Sequence, residues 1–526
     1  MSPSFDLIGQ PFVPCVRPDG TVAESGLRDV LVNAHEIAEV RDRSPLVTLA
    51  LHRLLLAVLH AAYRGPNDEG ERVRTRKAGR FDAKRITDYL AKFSDRFDLF
   101  SADRPFYQTA NFKTAEPSGV HRLAKELSSG NNAALFDHTV DDPPPALTPA
   151  EAARAVIADQ AFAVGGGNSD TGYTTSSPLV SAAVVLATGA TLFETLWLNL
   201  CVYDPESEMP VAGTAKDAPV WERKPSSPHT ESPQPLGYLD YLTWQTRTLR
   251  LHPEVEGGAV VVRRVSYAQG RKCEPAGEFF NPMVGYARKD TKEPFLPVRF
   301  NEYRDLWRDS AALFQLRDAK ANYERGPLTL SELSGADVRA ALAGGKPYKL
   351  AVLGLCTDKA KINFWRHESL PLPLAYLDDN HLAGRVKHAL RLADVAADAL
   401  RKAAWLAAGV RLTGDSGMKP DTDRVRNLVD SFAPDRLYWS GLERPYRKLL
   451  VDLGASGADQ LAVVREWFLD TLRTAARRAF TESIGRIEDG RSWKAAAVGE
   501  KSLARSLRKI QRDEKFPDPE TKEGAA

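Results

Sequence analysis

The chain is short of the residues that advertise covalent or metal chemistry. Its four cysteines, Cys15, Cys201, Cys273 and Cys356, lie far apart and no CxxC spacing occurs, which argues against a structural zinc site and a disulfide framework. Ten histidines include no HExxH or HxH pair, the spacings that put two imidazoles on one metal. No glycine cluster is followed by Lys-Ser/Thr or spaced as GxGxxG, so a Walker A loop and a dinucleotide fingerprint are both missing. His367, in Trp365-Arg366-His367-Glu368, reads as a structural histidine, and Asp141-Asp142, ahead of three prolines, as exposed connector. Long apolar runs are scarce. Leu46 to Tyr63 is interrupted by His52, Arg53 and His60, and Leu179 to Phe193 stops at Glu194, too short to span a bilayer. The start, Met1 to Asp6, lacks the basic and apolar regions of a secretory signal. The expectation is a cytoplasmic, non-catalytic protein without a membrane segment, metal or small cofactor.

Charge is also sparse in net terms: +2 over 526 residues, too little to hold nucleic acid by charge alone. The distribution is uneven, with 27 Lys/Arg against 21 Asp/Glu from His381 to Ala526, a surplus of six. A mildly basic segment of that kind suits a phosphate backbone, and it equally suits a solvated helical surface. Apolar residues make up 43% and charged residues 27%, ordinary for a folded chain, and the length favours two or more domains.

The most informative segment is Gly165-Gly166-Gly167, which runs into Asn168-Ser169-Asp170-Thr171-Gly172-Tyr173-Thr174-Thr175. Three residues without Cβ bring bare backbone close to a partner and permit φ > 0. Two readings stand: a turn before the apolar stretch Leu179 to Val185, or a loop that touches phosphates or base edges. Around it, Phe5 to Ile8 and Phe12 to Val16 read as short strands, with a turn at Arg17-Pro18-Asp19-Gly20. Ser44-Pro45 reads as an N-cap and first helical residue, opening a helix too apolar all round for a surface position. Thr148-Pro149-Ala150-Glu151 has the capping-box pattern, and Lys224 to Pro235 reads as a mobile loop. Strand signals recur at Ala259 to Val262 and Leu350 to Leu353. After Pro373 the period changes. Val386 to Ala407, Leu437 to Leu450, Leu461 to Phe480 (burying Val464, Trp467, Phe468 and Leu472) and Trp493 to Ile510 are amphipathic. The expected fold class is α+β: a large mixed N-terminal domain over 1–373, a C-terminal four-helix bundle over 374–515 and a disordered tail over 516–526.

Several segments in order resemble one family, the large subunit (CasA family) of the type I-E CRISPR Cascade surveillance complex. Phe5-Asp6-Leu7-Ile8…Pro11-Phe12-Val13-Pro14 looks like its opening, and Arg104-Pro105-Phe106-Tyr107-Gln108-Thr109 is similar to its HPFxQT-type segment. Ser129 to His138 is similar to its guide-RNA handle docking loop, and Gln160 to Gly167 to its glycine loop. Gly354 to Ile362, followed by Trp365-Arg366-His367-Glu368, resembles the segment that carries its wedge. The bundle matches as well, so the resemblance covers nearly the whole chain.

The resemblance implies a non-catalytic subunit that reads the protospacer-adjacent motif of double-stranded DNA through the minor groove. It also implies that the subunit starts unwinding and R-loop formation and recruits a helicase-nuclease. Its partners would be other Cascade subunits, the CRISPR guide RNA and the target DNA. The implied minor-groove glycine loop is Gly165, Gly166, Gly167 and Asn168. The implied basic finger is Lys272, with Arg271 competing. The implied wedge is Thr357, Asp358, Lys359, Ala360 and Lys361, where Lys359 departs from the family's usual glutamine; a surface turn is the alternative. In the docking loop, Asn131, Asn132 and Phe136 would meet the RNA, Phe136 either stacking on an unpaired base or anchoring the loop in the core. The alternatives to this whole reading are a purely architectural ribonucleoprotein subunit and a phosphate-binding enzyme of unrecognised type.

Overall fold

Ser44 and Pro45 start the helix on which the N-terminal half is built. The Ser44 hydroxyl accepts the Val47 N–H at 3.5 Å, and proline takes the first helical position, where a missing N–H costs no intrahelical bond. The helix, Pro45–Tyr63, has 16 buried residues out of 19. By length and composition it could cross a membrane, yet 89% of its apolar window is buried in protein. Each of its buried polar residues makes an internal hydrogen bond: His52 Nδ1 donates to the Thr48 carbonyl (2.8 Å), His60 Nδ1 to Gly65 (3.0 Å) and Arg53 to Tyr241 (2.9 Å).

The computed structural model describes residues 3–123, 144–168, 172–203, 217–224, 234–273, 279–302, 304–316, 323–344, 347–358, 361–378, 381–414, 419–484 and 490–512. The chain divides into two units, Met1–Ser369 and Leu370–Ala526. The first is mixed. Around the core helix lie a sheet of Val22–Ser25, Val13–Val16 and Glu39–Val40 and the capping-box helix Pro149–Phe162. Within that box the Thr148 side chain accepts from Glu151 N, and the Glu151 carboxylate accepts from Thr148 N. A long antiparallel ribbon pairs Arg247–Glu256 with Ala259–Gln269, a register shift at His252/Pro253 interrupting it. A second sheet orders Lys361–Leu372, Tyr348–Asp358 and Val184–Thr188. The second unit is helical: His381–Thr413, Thr422–Phe432, Pro434–Ala455, Ala458–Ile484 and Gly490–Arg512. Buried alanines of the first of these allow close helix approach, and Tyr438 seals one seam by donating to the Ala393 carbonyl at 2.9 Å.

The α+β class is therefore observed, with differences in detail. Phe5 to Ile8 is not a strand: Asp6 makes one isolated bridge to Asp98, and its carboxylate takes the Ile8 N–H at 3.0 Å, turning the chain locally. The strand signals were too short; the elements run to Gln269 and from Tyr348 to Asp358. Beside the four expected helices stands a fifth, Thr422–Phe432, N-capped by Asp421. Val464, Phe468 and Leu472 are buried, but Trp467 is only half-buried, with the Lys448 ammonium 4.6 Å over its ring. The tail from 516 and most of Lys224 to Pro235 lie outside the described residues.

Candidate nucleic-acid interface

The capping-box helix ends at Phe162 and delivers the chain directly to the glycine run. Gly166–Asn168 pairs with Gly172–Thr174 as a short antiparallel hairpin, in the register Gly166↔Thr174, Gly167↔Tyr173 and Asn168↔Gly172. The two glycine positions thus form a strand rather than an irregular loop. Gly165 and Gly166 differ in burial. A Cβ on buried Gly165 would lie 2.7 Å from the Thr174 carbonyl oxygen and 2.9 Å from Ser176 N, so packing inside the hairpin demands glycine there. Gly166 is half-exposed, and its carbonyl accepts from the Thr174 hydroxyl at 3.1 Å. Opposite Gly167, Tyr173 is 74% exposed, a large aromatic held at the surface of the hairpin.

The roots of this hairpin are fastened to one end of the long ribbon. Gln269, the last residue of its strand, accepts from Thr175 N (2.6 Å) and Thr175 Oγ1 (3.2 Å) and donates to the Thr246 carbonyl (3.2 Å). Its cross-strand partner Arg247 donates to the Val164 carbonyl at 3.2 Å. Gln160 completes the clamp, accepting from Arg247 N (2.8 Å) while its amide donates to the Arg247 carbonyl (3.0 Å). Sequence reasoning placed Gln160 only as the start of the glycine-loop segment and gave Arg247 and Gln269 no role, because their partners stand tens of residues away.

Lys272 and Arg271 follow the same ribbon end but differ in burial. Lys272 is exposed, three residues beyond Gln269. Arg271 is 3% exposed and is no basic finger: its guanidinium binds both oxygens of Asp240 at 2.6 and 3.2 Å and lies 3.6 Å over the Trp244 ring. A side chain held in a buried bidentate pair cannot enter a groove without giving up both of its bonds to Asp240. Arg223 shares that carboxylate. Next to it, Asp217 accepts from Leu239 N and Asp240 N, and burial pushes its carboxyl up to about 6.

The wedge segment sits at the end of two long paired strands. Tyr348–Asp358 is locked in register to Val184–Thr188, Leu353 opposite Val184. At Gly354 an added Cβ would meet the Ala182 carbonyl oxygen at 2.5 Å. Thr357 is half-exposed, Asp358 ends one strand and Lys361 begins the next. Lys359 and Ala360 lie outside the described residues, as do Asn131, Asn132 and Phe136 of the docking loop. The structure thus brings together the glycine hairpin and Lys272. It places Thr357 at the far end of a different sheet. Among the described residues no cluster of three His, Cys, Asp or Glu could hold a metal ion.

Residues 6–479 match the family model of CRISPR-associated protein Cse1. The CRISPR-associated protein CasA/Cse1 of Thermus thermophilus is 34% identical over 518 residues, spanning 96% of this chain and 97% of the relative. The chain belongs to the Cse1 family. A crystal structure of Thermus thermophilus CasA superposes with a TM-score of 0.81 at 30% identity, over 96% of this chain and 100% of that one. Cse1 from Acidimicrobium ferrooxidans gives 0.80 at 27% identity, over 97% and 99%. A chain of a solved CRISPR RNA-guided surveillance complex shares the fold at 22% identity, with a TM-score of 0.74 over 95% and 100%.

Proposed function

We propose that this Cse1-family chain is the large, non-catalytic subunit of an RNA-guided surveillance complex in the cytoplasm, and that it reads the short duplex flank beside the target. The observation that carries the reading is the clamp at Gln269, which ties the glycine hairpin to the strand that ends three residues before exposed Lys272. The minor groove is about 6 Å wide and presents a pattern degenerate between A·T and T·A. A reader made of bare backbone at Gly166 and Gly167 fits such a groove and tolerates several flanks, while Lys272 supplies a cation beside it. Guide pairing then carries the stringent sequence test. The segment Thr357 to Lys361 would push into the stack and open the first target pair, at a cost of a few kcal/mol per unstacked step. The helical unit, with its surplus of six cations from 381 to 526, would hold neighbouring subunits and the displaced strand. Cleavage falls to a helicase-nuclease recruited to this subunit, and the guide RNA and the other Cascade subunits are its standing partners.

The test is duplex binding by the complex with and without this chain, on guide-matched targets carrying permissive or scrambled flanks at a fixed salt concentration. Binding that requires both the chain and a permissive flank is expected. Gly166→Asp should then abolish the preference, whereas Gly165→Ala should act through folding of the hairpin. Equal binding to both flanks by the parent complex would reduce the chain to a scaffold.

A further inference from the structure

Behind the glycine hairpin, the Asp103–Ala110 segment, the turn Val220–Glu222 and the end of the long ribbon enclose a pocket of about 230 Å³. Its walls carry six cations, Arg96, Arg104, Arg223, Lys224, Arg247 and Arg271, against a single acid, Asp103. Its apolar side is aromatic: Phe106 and Tyr107 stack at 4.3 Å between centroids and 6° between planes, and Trp221 lies near-parallel to Tyr107 at 6.4 Å and 21°. Tyr107 holds φ of +55°, a backbone region that bulky residues rarely occupy outside sites where the surroundings enforce it. Gln160 fixes it there by donating to its carbonyl at 3.3 Å.

The cations are not equally compensated. Arg271 and Arg223 share Asp240, and Arg96 pairs with Asp95, which also lies 3.9 Å from Arg104. Arg247 is 2% exposed and bonds only to neutral oxygens: the Tyr267 hydroxyl (2.8 Å) and the Thr246 and Val164 carbonyls (3.2 Å each). No carboxylate among the described residues pairs with it. A buried guanidinium without a counter-charge is unfavourable, and an anion brought in from solution supplies what the fold omits. Arg104 and Lys224 stand exposed at the mouth, the first rank such an anion would meet.

We propose that this pocket holds one nucleotide of a single nucleic-acid strand, its phosphate on Arg104, Lys224 and Arg247 and its base against Tyr107 and Trp221. The volume is below the range of about 300–1,000 Å³ typical of drug-sized ligands, so it suits one unit of a polymer. A base still in its duplex cannot enter, whereas an unpaired one presents its face to aromatics and its phosphate to a guanidinium fork. The inference rests on the nucleic-acid reading above but concerns a site apart from flank recognition. Arg247 links the two, since the same guanidinium holds the root of the glycine hairpin at Val164.

The test uses fluorescence anisotropy of labelled single-stranded hexamers, one RNA and one DNA, on the full chain. The pocket double Arg104→Glu/Lys224→Glu is compared with a charge-matched double at exposed positions elsewhere, Lys77→Glu/Lys92→Glu. The pocket double should lose about ten-fold or more in affinity, with a log–log salt slope shallower by about 0.7, for the one phosphate the pocket holds. The control should lose far less. A nucleoside monophosphate should compete with the hexamer better than the nucleoside or inorganic phosphate alone, and the RNA and DNA arms report which strand is held. Equal losses from both doubles, or none from either, would overturn the proposal. In the assembled complex the pocket double should keep the permissive-to-scrambled ratio that Gly166→Asp destroys, so failure of the pocket and failure of flank reading give different results.

Discussion

The buried polar residues of the N-terminal unit include Arg53, Arg72, Arg247, Arg271, Asp159 and Asp240, together with His52 and His60; those of the C-terminal unit, among the described residues, are Ser483 and Ser492. The helical unit reaches stability by the generic route, apolar stripes at helical period with charges kept outside. The mixed unit has to place a hairpin, a lysine and a pocket at one ribbon end, and it does so with polar groups that span the sequence: Arg72 to Glu332 (3.3 Å), Arg271 to Asp240, Thr175 to Gln269. Such bonds are directional and add little net stability, but removing one partner leaves the other buried and unsatisfied. Precision in the first unit is therefore matched by fragility, and the two units should separate under perturbation. As a two-unit chain it should also unfold in more than one transition.

The largest separation should come from neighbouring cations. Arg271→Ala leaves buried Asp240 with Arg223 as its remaining cation and empties the place over Trp244, and should cost the N-terminal unit about 3 kcal/mol, whereas exposed Lys272→Ala should stay within about 0.5 kcal/mol. Urea unfolding of the two variants reads the difference, and comparable costs would mean the buried pair does not shape the unit.

Acid should divide the units next. Burial pushes His52 down to about 4, and burial aided by the Arg72 charge pushes His60 to about 3, so both are neutral in the folded state. Their folded pKa values lie below the unfolded value of about 6.5. The stability tied to keeping them neutral is thus complete above that pH and lost as pH falls, at up to about 1.4 kcal/mol per pH unit for each. Asp217, held up to about 6, opposes one of them between roughly 6 and 4, because its folded form keeps an extra proton. His252 and His367, also lowered by burial, add to the loss, and Glu368, raised by burial, opposes it, so a net loss of stability with falling pH should appear in the N-terminal transition, with little movement in the helical one. Calorimetry at pH 7 and pH 5 shows whether the transitions move apart.

Smaller still is Gln269→Ala. It removes the clamp on Thr175 and should cost about 1 kcal/mol of stability while lowering flank preference well beyond that modest effect. A variant that is destabilised yet keeps its preference would break the link between clamp and reading. At the bottom of the scale, Arg447→Ala deletes an exposed i,i+4 pair with Glu443 on the helical unit and should change stability by no more than about 0.5 kcal/mol.

How far the sequence could be read follows from the range of the interactions. The Ser44 and Thr148 caps and the long amphipathic helices are written within a few residues, and all are present. Thr422–Phe432 had a local signal too, Asp421 before Val425, but its polar composition masked the period. Trp467 shows that period alone does not tell core from rim. The fate of Arg271 was illegible because Asp240 stands 31 positions away, and the same holds for Arg247 with Val164 and Gln269 with Thr175, 83 and 94 apart. The glycine run was legible as a site where bare backbone matters. That Gly165 answers to internal packing required its neighbours in space.

The most direct test of flank reading by a hairpin and a lysine held on one ribbon end is a double-mutant cycle in the assembled complex, with Gly166→Asp and Lys272→Ala read as the permissive-to-scrambled affinity ratio. Each single change should bring the ratio close to one, and the double should do little more, because the two elements act as one reader. A ratio unmoved by either change, or losses that simply add, would contradict it.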